Sequence, residues 1–236
     1  MHQTVVEMLA RNAEHAQKPD SRFDDIQNTQ FPDAVTICCS DSRVLQDDMW
    51  GNDVPGEIFT VGNIGNRVTQ PTSMGHLVSG DVMFPLWNTD TKVAVVVGHT
   101  GCGAVTTAFQ YLTEDVIQPR GVKYCLEQLK PHLKEALSVL PEAELSDVAA
   151  INHLVEYNVD HQVSRLVGSE DVPEDVTVVG AVYDFQDVYS DQRGTVHVIN
   201  VDGETDVARL RDENPDIADR IGRLWEYGRT LSAEQT

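Results

Sequence analysis

The sequence predicts one α/β domain with a central five-stranded sheet, mostly parallel with an antiparallel last strand, and with helices on both faces. Apolar runs of strand length alternate with amphipathic helical patterns along most of the chain, which is typical of a parallel sheet. The last two strand patterns, 176–183 and 195–201, are joined by a link too short for a helical crossover, so we expect them to be antiparallel. Without a repeat or linker, the 236 residues favour a single domain over 1–236.

Three further strands are predicted in the first half of the chain, at 34–39, 57–61 and 92–98. Each is a short run, rich in apolar and β-branched residues, that Gly, Pro, Asp or Ser residues bound. The third is apolar on both faces from Val93 to Val97, which suits a central position in a parallel sheet. The second leads into the glycine-rich segment 62–66.

Helical periodicity predicts the remaining elements. We expect an N-terminal helical arm over about 1–20 and a C-terminal helical extension over about 205–236. The individual helices are predicted at 2–17, 73–87, 103–112, 119–139, 145–167 and within 205–230.

The charge of the chain limits its partners. With 38 acidic and 17 basic residues, the formal net charge is −21, which disfavours binding to nucleic acid and to anionic membranes. The acidic residues are mostly aspartate and lysine is scarce, a pattern of salt-adapted proteins. We therefore expect full folding only at high salt, where screening shortens the reach of repulsion. An ordinary acidic cytoplasmic protein is the alternative.

The sequence also predicts a cytoplasmic location. No apolar run approaches the ~20 residues that a membrane-spanning helix needs. Residues 1–17 contain charges where a secretory leader has its apolar segment. Four scattered cysteines do not make a disulfide scaffold in a chain of this size, so a reducing interior is expected.

Two cysteines and a histidine form a candidate zinc site. Cys39 and His99 each end an apolar strand, and the carboxyl ends of neighbouring parallel strands line the ligand crevice of an open sheet. Cys102 follows in the first turn of the next helix, whose N-terminus favours a thiolate. Three such ligands leave the fourth zinc position open, as in catalytic sites. Buried, inert cysteines are the alternative.

Asp41 and Arg43 follow the first of these strands and form a candidate catalytic pair. At this spacing the carboxylate and the guanidinium can pair in a bidentate manner. An ionised Asp41 can then orient a water beside the metal, with Arg43 keeping the carboxylate charged and turned away. An ordinary turn with Asp41 as a cap and a solvated Arg43 is the alternative.

The motifs Cys39-Ser40-Asp41-Ser42-Arg43-Val44 and Gly98-His99-Thr100-Gly101-Cys102-Gly103 resemble those of β-class carbonic anhydrases of prokaryotic type. The resemblance implies one zinc ion per chain on Cys39, His99 and Cys102, and an Asp41–Arg43 dyad. It also implies a homodimer or a higher even oligomer, and a closed state in which Asp41 becomes the fourth zinc ligand. The implied reaction is the reversible hydration of carbon dioxide to bicarbonate.

The loop after the second strand departs from the family pattern. The family commonly has Arg-Asn-x-x-Asn there, whereas this chain has Gly62 at the arginine position, followed by Asn63. We expect Gly62, Asn63 and Gly103 to line the substrate pocket, and Gln46 lies near the first motif.

The sequence is also compatible with other functions. A hydrolase of carbon disulfide or carbonyl sulfide could use the same zinc site, and a non-catalytic zinc-binding regulatory module could retain it. A thiol redox enzyme is disfavoured because the chain has no Cys-x-x-Cys pair. Cys38, on the strand face opposite Cys39, and Cys125 are expected to pack in the interior. Surface or structural roles are expected for His76, His132, His153, His161 and His197.

Overall fold

The computed structural model describes residues 2–17, 21–114, 116–140 and 147–225. It has seven strands in those residues, and five of them form the central sheet in the order β2-β1-β5-β6-β7. The strands are β1 (Ala34–Cys39), β2 (Ile58–Asn63), β3 (Thr69–Thr72), β4 (Gly75–Val78), β5 (Val93–His99), β6 (Thr177–Asp184) and β7 (Thr195–Val201).

The sheet has the predicted topology. β1 pairs in parallel with β2 on one side and with β5 on the other, and β5 pairs in parallel with β6. Only β7 runs antiparallel, against β6, with a register shift between Gly180 and Ala181. From β1 the chain first adds β2 on one side and then crosses back to add β5 on the other side of β1. The crevice between the carboxyl ends of β1 and β5 is therefore the switch point at which such sheets bind ligands.

The helices predicted at 2–17, 103–112, 119–139 and 145–167 are present close to those positions. The α-helices of the described residues are α1 (Gln3–Ala16), α2 (Gln46–Met49), α3 (Gly80–Asn88), α4 (Gly103–Thr113), α5 (Arg120–Val139), α6 (Asp147–Val167) and α7 (Val207–Glu213). Short 3-10 turns occupy Ser21–Phe23 and Pro215–Arg220. No helix among the described residues combines the length and the apolar content needed to cross a bilayer.

The helix predicted at 73–87 is wrong in its first half. Residues 69–78 instead form an antiparallel hairpin of β3 and β4, and the helix begins only at Gly80. Gly75 has φ 109°, a conformation that side chains with a Cβ rarely adopt and that a helix does not contain. The Thr72 hydroxyl closes the turn, since it donates to the Gly75 carbonyl and accepts from the Met74 amide.

In its described part, residues 205–225, the C-terminal extension has one short α-helix, α7, and a 3-10 turn. Pro215 lacks an amide hydrogen, and α7 ends before it. Positions 226–236 of the predicted extension lie outside the described residues.

The helices cover the two faces of the sheet unequally. The main core lies on one face, where α3, α4, α5 and α6 pack on Val35, Ile37, Val96 and their neighbours. The crossover from β1 to β2 runs over the other face, where a smaller cluster around Cys38 and Val97 is packed by Met49 of α2. Every residue of α1 is exposed.

Close contact of α6 with the sheet depends on two glycines. Gly98 of β5 and Gly180 of β6 both lie against Val159 of α6. A Cβ atom at Gly98 would stand 2.7 Å from Val159 Cγ2, and one at Gly180 would stand 2.9 Å from Val159 Cγ1. Larger residues at either position would therefore push α6 away from the strand that ends in His99.

A buried ionic cluster attaches the segment after Ile221 to α6. Arg223 donates from Nη1 and Nη2 to both carboxylate oxygens of Asp160, and its side chain is 1% exposed. Glu156 is fully buried and accepts hydrogen bonds from the Tyr189 hydroxyl and the Leu224 amide. Burial raises the pKa of Glu156 to about 7 against the opposing charge of Arg223.

Candidate metal centre

Residues from two strand ends and one helix start converge at the switch point. Cys39 ends β1, His99 ends the neighbouring strand β5, and Cys102 directly precedes α4. The Sγ atoms of the two cysteines are 3.8 Å apart. One ligand atom from each residue lies within 4.8 Å of the others, and all three side chains are buried. The structure thus brings together the three residues predicted to bind zinc.

The His99 ring is oriented as a metal ligand requires. Its Nδ1 atom lies 3.1 Å from the carbonyl oxygen of Thr100, which can only accept, so Nδ1 carries the hydrogen. The lone pair is therefore on Nε2, which is buried and has no hydrogen-bond partner among the described residues. A buried orphan nitrogen beside two thiols is costly unless a cation binds it, and this donor set fits zinc.

The contact between the two thiols shifts their pKa values in opposite directions. Cys102 donates a hydrogen bond to Cys39, and this contact lowers the pKa of Cys39 to about 5 against the effect of burial. The same contact and burial raise the pKa of Cys102, although the amides of Ala104 and Val105 at the start of α4 act in the other direction. The expected effect of the helix start is present, but it is outweighed. A divalent cation would stabilise both thiolates.

Asp41 and Arg43 form the predicted pair. Nε and Nη2 of Arg43 donate to the two carboxylate oxygens of Asp41 at 2.8 and 2.6 Å. These hydrogen bonds hold the pKa of Asp41 well below its usual range, so the carboxylate is ionised. Its Oδ2 atom lies 3.6 Å from Nε2 of His99. A carboxylate therefore stands directly beside the position between the three ligand atoms.

Comparison with known proteins gives the family. The family profile described as carbonic anhydrase matches residues 34–190, which contain all of these side chains. The chain belongs to the β-carbonic anhydrase family. It is 30% identical over 151 residues to a carbonic anhydrase of Pseudomonas aeruginosa, covering 61% of this chain and 63% of that protein. With a carbonic anhydrase of Emericella nidulans the identity is 32%, covering 58% and 56%. The chain spans less than two thirds of the length of these curated relatives.

Solved β-carbonic anhydrases share the fold. The enzyme CafA of Aspergillus fumigatus superimposes with a TM-score of 0.68 at 24% identity, covering 94% of this chain and 100% of that one. The Coccomyxa enzyme has a TM-score of 0.66 at 23% identity, covering 89% and 90%. The similarity therefore extends over most of the chain, including the sheet that positions the candidate metal centre.

The structure adds a residue group that the sequence analysis missed. Asp184 ends β6 at the same edge of the sheet and is fully buried. Its carboxylate accepts hydrogen bonds from the Thr100 hydroxyl and from the amides of Gln186, Val188 and Tyr189. The rule that polar residues at strand ends line the crevice applies equally to Asp184, so the sequence contained the signal for it.

The residues predicted to line a substrate pocket differ in their surroundings. Both polar atoms of the Asn63 amide bond the backbone of Arg67, so this side chain closes the loop after β2. A Cβ atom at Gly103 would meet nothing within 4 Å, whereas one at Gly62 would stand 3.2 Å from the Ser40 hydroxyl. Gln46 fills the space beside Gly62, bonded to Thr36 and to the Val61 carbonyl.

The other cysteines and histidines lie apart from the three ligand candidates. Burial raises the pKa of Cys38 to about 12, and this thiol packs on the opposite face of the sheet, as predicted. Cys125 is half-buried and accepts a contact from Arg67. His132 is buried, bonds Asn158 and stacks on His161. His153 and His197 stack on aromatic rings, and His76 is exposed.

Proposed function

We propose that this protein catalyses the zinc-dependent, reversible hydration of carbon dioxide to bicarbonate and a proton. The observation that carries the proposal is the combination of three ligand atoms, rather than four, with the ionised Asp41 beside them. Structural zinc sites are normally closed by four protein ligands, whereas catalytic sites keep a position open. Membership of the β-carbonic anhydrase family supports the same reaction.

In this proposal Cys39, His99 and Cys102 hold one zinc ion per chain. When bound, zinc acts as a Lewis acid and lowers the pKa of a bound water from 15.7 toward ~7. Asp41 would accept a hydrogen bond from the attacking water and thereby orient a lone pair of the water oxygen toward the carbon of carbon dioxide. Arg43 keeps Asp41 ionised and holds it by a bidentate pair, which opposes the closed state in which Asp41 would itself bind the metal.

The test is stopped-flow hydration of carbon dioxide by protein of measured zinc content. We expect rapid hydration that is proportional to bound zinc, and full activity in zinc-free protein would contradict the proposal. Carbon disulfide and carbonyl sulfide are assayed in parallel, since a faster reaction with either compound would identify it as the preferred substrate in place of carbon dioxide. Acetazolamide, which the Coccomyxa enzyme binds, is expected to inhibit the hydration.

We further propose that the whole chain is one catalytic domain that assembles as a homodimer or a higher even oligomer. Helix α1 has no buried residue and presents Val5, Val6, Met8 and Leu9 to solvent, which supports this assembly. The Sordaria macrospora relatives of the same fold are tetrameric. A cytoplasmic location suits the two thiol ligands, which a reducing compartment protects. Light scattering of the purified protein tests the assembly.

A further inference from the structure

Arg43 is held by more than its pair with Asp41. The Arg43 side chain is 49% exposed, and an ion pair in contact with water is weak because solvent competes for both partners. Two further contacts restrain the guanidinium. Its Nη2 atom donates to the Gly101 carbonyl at 3.2 Å, and its Cζ atom lies 4.7 Å from the centroid of the Phe185 ring. The second contact has the geometry of a cation–π interaction.

Phe185 is itself rigidly placed. Its amide donates to the hydroxyl of Thr100, and the preceding residue, Asp184, organises the next turns of the chain through its buried carboxylate. The ring is half-buried and meets Tyr183 edge-on, with 6.0 Å between the ring centroids. It is therefore a fixed surface for the guanidinium to rest on.

The same ring also contacts a candidate metal ligand. The His99 and Phe185 rings are stacked, with centroids 5.7 Å apart and planes inclined by 24°. One aromatic side chain thus touches both the ligand set and the Asp41–Arg43 pair. No other aromatic ring among the described residues is in stacking or cation contact with either of them.

We propose that Phe185 is a positioning residue, whose ring holds the Arg43 guanidinium in the orientation in which Arg43 pairs with Asp41. For its effect on catalysis this inference rests on the proposed carbon dioxide hydration. Because the interaction comes from the face of an aromatic ring, tyrosine replaces phenylalanine in this role and an aliphatic residue of similar size does not.

The test compares Phe185→Leu with Phe185→Tyr in the zinc-loaded protein. We expect Phe185→Leu to lower kcat for carbon dioxide hydration by roughly two- to fivefold, the factor expected for an exposed cation–π contact, with KM and zinc content unchanged. Phe185→Tyr should have the kcat of the unaltered protein. Phe59→Leu is the matched control. Phe59 is a half-buried residue of β2 whose backbone pairs with Val35, at the end of β1 opposite Cys39, and whose ring contacts Phe84.

A second readout does not depend on activity. Protein labelled with 15N-arginine reports the solvent exchange of the Arg43 Nε hydrogen, which bonds Asp41. Phe185→Leu should speed this exchange by a similar factor, whereas Phe185→Tyr and Phe59→Leu should leave it unchanged. In an Arg43→Gln background, Phe185→Leu should cause no further loss of kcat.

Three outcomes would overturn the inference. They are unchanged Arg43 exchange in Phe185→Leu, an equal loss of kcat in Phe185→Tyr, and loss of zinc from Phe185→Leu, which would mean that the ring acts through His99. If the unaltered protein hydrates no carbon dioxide while Arg43 exchange responds as expected, the proposed function fails and the positioning role of Phe185 stands.

Discussion

Cys38 and Cys39 are adjacent on β1 but face opposite sides of the sheet. Substitutions at the two positions can therefore distinguish an effect on metal binding from an effect on stability. Cys39 faces His99 and Cys102, whereas Cys38 packs on the other face of the sheet. We expect Cys39→Ala to lose both zinc and carbon dioxide hydration, and Cys38→Ala to keep both at the cost of a modest loss of stability. Zinc analysis of the two purified variants decides, and equal zinc in both would contradict the assignment of Cys39.

Asp41→Ala should behave differently from Cys39→Ala. Because Asp41 is paired with Arg43 and is not among the three ligands, the variant should retain zinc while hydration falls to background. Stopped-flow assays at equal zinc content measure the difference. Retention of most of the activity would remove Asp41 from the mechanism.

The buried Glu156 makes stability depend on pH. Burial raises its pKa in the folded protein to about 7, from 4.5 in the unfolded chain. Between these values the folded protein holds a proton that the unfolded chain releases, so stability falls as pH rises through this window. The loss is on the order of 3 kcal/mol. Glu156→Gln cannot ionise, so its stability relative to the unaltered protein should increase from pH 4.5 to 7.

Urea unfolding at several pH values measures this effect. Glu127→Gln is the control, since Glu127 is exposed on α5, outside the buried cluster, and its ion pair with Lys123 is in contact with water. A relative stability of Glu156→Gln that stays constant or falls over this range would contradict the role of the buried carboxyl.

The three ligand residues could be predicted from the sequence, whereas the residues that support them were not. Cys39, His99 and Cys102 could be predicted because strand ends and residue chemistry point to the same place. Asp184 was missed although it ends a strand, and its role as an acceptor for Thr100 shows only in the folded structure. Phe185 was missed because the contact of its ring with Arg43 depends on the three-dimensional fold. The use of Asn63 to close a loop likewise depends on backbone geometry.

At the scale of elements, the close packing of α6 on the sheet determines the position of the last residues of β5. Gly98→Ala would place a Cβ atom 2.7 Å from Val159 Cγ2, so α6 or the strand must shift. We expect a loss of about 1–3 kcal/mol in unfolding free energy, the usual cost of overpacking. Gly121→Ala is the control, because a Cβ there would meet no atom within 4 Å. Equal unfolding free energies of the two variants in urea would contradict this packing.

Most elements could be predicted because their apolar periodicity matches their burial. The helix prediction at 73–87 was wrong for a local reason. Apolar residues recur there at helical spacing, but the backbone of Gly75 and the Thr72 hydroxyl form a turn that periodicity does not detect. A pattern of apolar residues reports burial, whereas a hairpin turn depends on single residues.

At the scale of the whole molecule, the negative charge lies at the surface. Among the described acidic residues only Glu156 and Asp184 are buried. The melting temperature should therefore rise between dilute buffer and 1 M KCl, by about 2–4 °C for each kcal/mol of repulsion that is screened. Identical melting curves in the two buffers would contradict salt adaptation.

A variant with less charge is the control for this effect. Replacing the exposed residues Glu170, Asp171 and Glu174 by their amides removes three negative charges without touching an ion pair. In dilute buffer this variant should melt at a higher temperature than the unaltered protein. Its melting temperature should rise less when KCl is added. An equal gain from salt in both proteins would mean that KCl acts by a route other than charge screening.

The convergence of Cys39 and His99 has a consequence for the order of assembly. These residues are 60 positions apart and meet only when β5 docks beside β1, while Cys102 joins them only when α4 has formed. A nascent chain that has not yet paired these strands has no site with all three donors. Zinc should therefore bind only after the sheet has formed. Its binding would stabilise the folded protein and would not accelerate the early steps of folding.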